Sequence, residues 1–253
     1  MPESVFDLSG KAAIVTGGGT GIGQAIAVEL ARAGADVTIC SRDTAHLETT
    51  APQIRDLRRR CLTIATDIRQ EDQIEKMVAM TLDEFGRVDI LVNNAGANFF
   101  VPAEKMSLNA WNVILSINLT GTFLCCKAVF DAMVKQGGGS IVNIGSTAGR
   151  NGDPRSPHYG AAKAGIVNLT KSLARDWGKY GIRVNCVAPG PIVTEGARWW
   201  QAQQQQAAPG GREFRTGLSR PGKPQEVAYP VLFLASDAGS YVNGVELDVD
   251  GGM

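Results

Sequence analysis

Tyr159 and Lys163 stand four residues apart in Tyr159-Gly160-Ala161-Ala162-Lys163, and Ser146 precedes the tyrosine by thirteen residues. On a helix, residues four apart share a face. The segment 158–178 reads as a helix, and the strand-like run Ser140-Ile141-Val142-Asn143-Ile144 before it ends just short of Ser146. That spacing sets a hydroxyl, a phenol and an ammonium around one point. A phenol gives up its proton only near pH ~10. A lysine one helical turn away favours the phenolate and pulls the tyrosine towards useful values. The three residue types together read as a proton-transfer site.

A partner for that chemistry lies near the start of the chain. Thr16-Gly17-Gly18-Gly19-Thr20-Gly21-Ile22-Gly23 sits between an apolar strand-like run, Lys11-Ala12-Ala13-Ile14-Val15, and a helical pattern at Ile26, Ala27, Leu30 and Ala31. A glycine-rich turn in that place lets the backbone approach a pyrophosphate, and the helix N-terminus supplies N–H donors. Alone, a glycine cluster could be an ordinary tight turn; the strand–turn–helix setting makes it a dinucleotide cradle. Gly17, Gly19, Thr20, Gly21, Ile22 and Gly23 are therefore candidate cofactor contacts. A second strand, Asp36-Val37-Thr38-Ile39-Cys40, delivers the chain to Ser41 and Arg42, where a ribose is read. An NAD site commonly places a carboxylate there, and this chain has none before Asp43. Arginine offers a planar donor fork suited to a 2′-phosphate. NADP(H) is thus preferred and NAD(H) is the alternative, as an ordinary solvated side chain is for Arg42.

The elements that must position these residues follow from periodicity. Strand-like runs near 11–16, 36–40, 61–65, 88–92, 139–145, 182–187 and 245–248 alternate with helical patterns near 22–33, 43–59, 70–85, 108–135, 158–178 and 224–235. Such alternation predicts the α/β class, with a doubly wound parallel sheet of about seven strands in a single domain spanning 1–253. One stretch breaks the rhythm. From about Thr194 to Pro221 the chain carries Trp199-Trp200, four consecutive glutamines and Pro209-Gly210-Gly211. So long a connection is usually a functional lid or partly disordered. Two adjacent tryptophans favour a substrate lid, with packing at a subunit interface as the other reading.

Composition bounds the partners. Lys plus Arg equals Asp plus Glu at 25 each, so nothing in the charge balance calls for nucleic acid or an anionic membrane. The segment Met1–Gly10 shows no leader pattern, and no apolar stretch is expected to reach the ~20 residues of a membrane helix. Cys40, Cys61, Cys125, Cys126 and Cys186 are scattered, which predicts reduced thiols in a reducing, cytoplasmic setting. Two histidines without a Cys/His ligand spacing leave no metal site to expect.

Over nearly its whole length the chain resembles the short-chain dehydrogenase/reductases. The resemblance rests on Thr16-Gly17-x-x-x-Gly21-Ile22-Gly23, Asp67, Asn93-Asn94-Ala95-Gly96, Asn118, Ser146, Tyr159-x-x-x-Lys163 and Pro189-Gly190, in this order and spacing. It implies a Rossmann-type fold and a homotetramer. Tyr159 would be the proton donor or acceptor, Lys163 its activator and the holder of the nicotinamide ribose, Ser146 the oxyanion donor, and Asn118 the anchor of a water path. Asp67 and Ile68 would contact adenine, although Asp67 could instead be a helix N-cap, and Asn118 a helix-bend residue. Asn94, Ala95 and Gly96 would border the cofactor, with Pro189, Gly190, Ile192 and Thr194 against the nicotinamide. Basic residues after the second strand go with NADP in this family; its other NADP signal, a basic residue before the second motif glycine, is absent because Thr20 stands there. His158, beside the tyrosine, is expected to point off its helix face towards solvent or the substrate rim.

The substrate is read least directly. The complete Ser146–Tyr159–Lys163 set favours interconversion of a carbonyl and an alcohol, as in 3-oxoacyl-thioester reductases. Asn98-Phe99-Phe100 and Pro189-Gly190-Pro191-Ile192 are similar to the enoyl- and dienoyl-coenzyme A reductase branch, which makes double-bond reduction the alternative. A nucleotide-binding protein that has lost turnover is the reading from another class.

Overall fold

Seven short runs dominated by Val, Ile, Ala and Leu form strands β1 (Ala12–Thr16), β2 (Asp36–Ser41), β3 (Cys61–Ala65), β4 (Ile90–Asn93), β5 (Gly139–Ile144), β6 (Ile182–Pro189) and β7 (Glu246–Val249) in the computed structural model, which describes residues 4–194 and 216–253. Continuous apolar runs of this kind suit strands covered on both faces. All pair in parallel, in the order β3-β2-β1-β4-β5-β6-β7. The sheet is the Rossmann-type arrangement expected. After β3 the chain returns to lay β4 beside β1, with Val15 opposite Val92. Strand order therefore reverses between β1 and β4, and open α/β sheets bind ligands in the crevice at that reversal.

Helices cover both faces. On one, Ile26, Ala27 and Leu30 of α1 (Gly21–Arg32) pack with Val227, Val231 and Leu234 of α8 (Pro224–Ala235). On the other lie α3 (Glu71–Phe85), α5 (Gly121–Lys135) and α7 (Pro157–Trp177), through Ile74, Met77, Val129 and Ala174. The large aliphatic side chains among these are fully buried, each worth about 1.5–3 kcal/mol.

Two helices differ from their expected form. The pattern over 43–59 resolves into a 3₁₀ turn, Thr44–His46, and a short helix α2 (Ala51–Asp56). Pro52 is the cause: it cannot donate the N–H a continuous helix needs, so the helix restarts there. The run 108–135 is α4 (Leu108–Leu115) and α5 joined by a π-turn, Ser116–Thr120. Contrary to expectation, this 28-residue run is long and apolar enough to cross a membrane, the mean hydropathy of its most apolar 18-residue window being 1.7. They serve as a core helix, since Cys125, Cys126, Val129 and Met133 pack beneath the sheet. A short helix not foreseen, α6 (Ala148–Asn151), lies between Ser146 and α7. Of the expected lid, 195–215 lies outside the described residues.

Candidate functional site

The glycine turn is held by contacts too close for side chains. A Cβ on Gly23 would stand 2.1 Å from the Gly17 carbonyl oxygen and 2.4 Å from Asn94 Nδ2. Gly17 has φ +64°, and a Cβ there would meet Ala95 Cα at 3.0 Å. The turn is also sewn to the end of β4. Asn94 Nδ2 donates to the carbonyls of Thr16 and Gly17 at 3.0 and 3.1 Å. Thr16 Oγ1 accepts from the backbone N–H groups of Asn94 and Ala95 at 3.1 and 3.0 Å. Gly19 is not among the residues lining the cleft; its carbonyl accepts from the hydroxyls of Thr49 and Thr50, and its α-carbon backs onto His46. Thr20, the N-cap of α1, makes no side-chain cap bond. The first-turn N–H groups of α1 are thus left for an anion.

Beyond this turn opens a cleft of about 540 Å³. Gly17, Thr20, Gly21, Ile22 and Gly23 line its floor, and Asn94, Ala95, Gly96 and Thr194 its far wall. Ser41, Arg42, Asp67 and Ile68 line the end beside β2 and β3. Five further wall residues, Cys40, His46, Thr66, Ala97 and Ile117, were not expected as cofactor contacts; Cys40 ends the buried run of β2 and the others come from segments whose paths depend on tertiary packing. Thr16 was legible, as the first residue of the glycine motif, but its hydroxyl's role in clamping Asn94 and Ala95 was not.

At the β2/β3 end, Arg42 is exposed and forms no ion pair or hydrogen bond among the described residues. Asp67 is held differently from expectation. Helix α3 begins at Glu71 with Gln70 as its N-cap, so Asp67 is not the cap. Its carboxylate accepts from Arg69 Nε at 2.9 and 3.0 Å, from Arg69 Nη2 at 2.5 Å and from the Arg69 backbone N–H at 3.0 Å. Hydrogen bonding from Arg69 holds the Asp67 carboxyl below the usual carboxylate range, against a desolvation cost; the more distant Arg42 adds a smaller pull the same way.

Ser146, Tyr159 and Lys163 come together where β5 ends and α7 begins. The Ser146 hydroxyl stands beside the Tyr159 phenol, placed to donate to its oxygen. Burial raises the phenol above its ordinary range and that hydrogen bond works against the rise. Lys163 is buried, donates from Nζ to the Ile144 carbonyl at 2.7 Å, and lies 5.5 Å from the centroid of the Tyr159 ring. Burial lowers its pKa to about 8. Asn118 sits inside the π-turn, where its Nδ2 donates to Ile114 and Ala97 carbonyls at 3.0 and 2.8 Å. It therefore replaces a backbone donor at the helix irregularity and ties that irregularity to the cleft wall. Its Oδ1 has no hydrogen-bond partner among the described residues. Pro189 accepts from the Thr147 N–H at 3.1 Å and Gly190 donates to Val249 at 3.0 Å, which brings the 189–194 segment beside Ser146. Ile192 packs on the core and bridges to Gly222.

His158 corrects an expectation. It is fully buried, not at the solvent rim. Its Nδ1 accepts from the Tyr159 backbone N–H at 2.9 Å, and its ring meets Phe99 edge-on at 4.8 Å. The helix periodicity predicted the outward direction; the loop after β4 folds over and covers it. That loop is fastened to the start of α7 by Val101 N–H donating to Arg155 at 2.7 Å and by Arg155 stacking over Phe100 at 4.3 Å.

Comparison with known proteins identifies the family. The short chain dehydrogenase family model matches residues 11–205. The peroxisomal 2,4-dienoyl-CoA reductase of Danio rerio, a (3E)-enoyl-CoA-producing type, is 46% identical over 97% of this chain and 82% of its own. The 3-oxoacyl-[acyl-carrier-protein] reductase of a Synechocystis strain is 37% identical over 97% and 98%. Among solved structures, an NAD(P)-dependent gluconate 5-dehydrogenase from Beutenbergia cavernae, with bound NADP, superposes with a TM-score of 0.89 at 38% identity, covering 98% of both chains. The chain is an oxidoreductase and belongs to the short chain dehydrogenase family.

Proposed function

We propose that the enzyme interconverts a carbonyl and a secondary alcohol with NADP(H), acting on a 3-oxoacyl thioester. One observation carries the reading: a hydroxyl, a phenol and a buried ammonium meet at the carboxyl end of β5, as Ser146, Tyr159 and Lys163. The cleft fits a dinucleotide, because its floor leaves no room for a Cβ at Gly23 and its helix N-terminus is uncapped. Gly17 to Gly23 would hold the pyrophosphate, Ser41 and Arg42 a phosphorylated ribose, and Asp67 and Ile68 the adenine. Asn94, Ala95, Gly96, Pro189, Gly190, Ile192 and Thr194 would border the nicotinamide half. The nicotinamide supplies or accepts the hydride when bound.

The remaining work falls to the chain. Tyr159 gives its proton to the carbonyl oxygen, or takes it back in the oxidative direction. Ser146 donates to that oxygen as negative charge develops on it. Lys163, with a pKa of about 8, exchanges a proton readily near neutrality, favours the phenolate and holds the nicotinamide ribose. Asn118 anchors the path by which that proton reaches solvent.

The identity with a dienoyl-CoA reductase favours a second reading, reduction of a conjugated thioester double bond. Parallel assays of NADPH consumption with a 3-oxoacyl and a 2,4-dienoyl thioester of equal chain length decide between them. Turnover of the first alone is the expected result; turnover of the second alone reassigns Tyr159 and Ser146 to enolate stabilisation. Arg42→Ala tests the cofactor half: the NADPH/NADH preference falls, and an unchanged ratio removes Arg42 from the site. We also place the enzyme in the cytoplasm as a closed homotetramer. Exposed Leu108 and Phe123 on α4 and α5 support the assembly, and a monomer in light scattering would contradict it.

A further inference from the structure

We infer that Arg69, which does not itself line the cleft, sets the preference for a 2′-phosphate by clamping Asp67 and so keeping Arg42 free. The inference rests on the NADP(H) reading above. The β2/β3 end of the cleft carries charged groups of both signs, Arg42 and Asp67 on the wall. A carboxylate on that wall is the wrong sign for a phosphate dianion. Left alone it would do further harm, because Arg42, on the same end of the cleft, already exerts a small pull on the Asp67 carboxylate. An unclamped Asp67 would draw Arg42 into an ion pair and take away the phosphate's cation.

Arg69 prevents both effects. Its Nε and Nη2 engage both carboxylate oxygens, and its backbone N–H adds a third donor to Oδ1. Such a fork is the strong geometry for a guanidinium on a carboxylate. Gln73 completes the clamp by accepting the Asp67 N–H at 2.8 Å. The pair is close to neutral as seen from the cleft, while Arg42 has no ion-pair or hydrogen-bond partner among the described residues. Arg69 does not itself line the cleft, so it acts through Asp67 as a positioning residue.

The test measures the Kd of NADPH and of NADH for the wild type, Arg69→Gln, Asp67→Asn and the double variant, at low and at physiological salt. Coulomb's law makes an uncompensated carboxylate facing a dianion across a wet cleft worth about tenfold in affinity at a separation of roughly 8 Å. Arg69→Gln is expected to weaken NADPH by about that factor at low salt, less at higher salt, and NADH by less than about twofold. In the Asp67→Asn background the same substitution is expected to change neither. Equal losses for both cofactors, or a loss that Asp67→Asn does not remove, would show a purely structural clamp and overturn the inference. A wild type that prefers NADH refutes the cofactor reading itself; an NADPH/NADH affinity ratio that Arg69→Gln leaves unchanged refutes the role of Arg69 alone.

Discussion

Lys163 is held at a cost to the fold, and replacing it with methionine should make the protein more stable while abolishing turnover. The ammonium is 4% exposed and has one carbonyl partner, Ile144. Burial moves its pKa from 10.5 to about 8, which corresponds to about 3 kcal/mol against the charged form. Methionine fills nearly the same volume without that charge, but leaves the Ile144 carbonyl without its donor, a loss of about 1 kcal/mol. Lys163→Met is therefore expected to gain about 2 kcal/mol at pH 7, or roughly 4–8 °C in Tm for a chain of this size. The pH dependence identifies the cause. Because the folded pKa lies below the unfolded one, the unfolded chain binds more protons between pH 8 and 10.5, and wild-type stability rises with pH through that window. The advantage of the variant should shrink there by about 1.4 kcal/mol per pH unit. Denaturant unfolding of both proteins from pH 7 to 10.5 measures it. A difference that is independent of pH, or a variant less stable than wild type at pH 7, would refute the assignment of a buried, strained ammonium.

Two other perturbations probe the supports of the site. Gly23→Ala places a Cβ against a backbone carbonyl and the Asn94 amide; overpacking of this kind costs about 1–3 kcal/mol, and cofactor Kd should rise at least about tenfold as the turn is displaced. Unaltered Tm and Kd would mean that the turn is not rigid. His158→Phe removes one of the two acceptors of the Tyr159 N–H, which keeps the Ser156 carbonyl at 3.0 Å, so the loss should stay below about 1 kcal/mol. Burial lowers the pKa of His158, so the wild type should lose stability as pH falls below about 6.5, a loss that His158→Gln flattens if Nδ1 is the group that titrates.

The sheet was legible because each strand is a short apolar run bounded by turn residues, and all seven fall within two residues of their expected places. The catalytic positions were legible for a related reason: Tyr159 and Lys163 share one helix turn, and Ser146 closes the preceding strand. What escaped depends on contacts between distant segments. Pro52 did announce the break in 43–59, and the helical periodicity overrode it. Nothing local marks the π-turn at 116–120, whose bent backbone is completed by the Asn118 amide. His158 looked outward because a helix wheel cannot see the 98–101 loop that buries it. The Arg69 fork joins residues two apart in a turn, a spacing for which no periodic rule predicts contact.

The central claim is that Tyr159 exchanges the proton with the substrate oxygen, and Tyr159→Phe tests it most directly. The substitution removes one hydroxyl and leaves the helix, Lys163 and the cleft in place. With cofactor Kd measured on the same preparation, kcat for carbonyl reduction is expected to fall by about 10²–10⁴ while Kd stays within about twofold. Turnover near that of the wild type, with cofactor bound normally, would contradict the account.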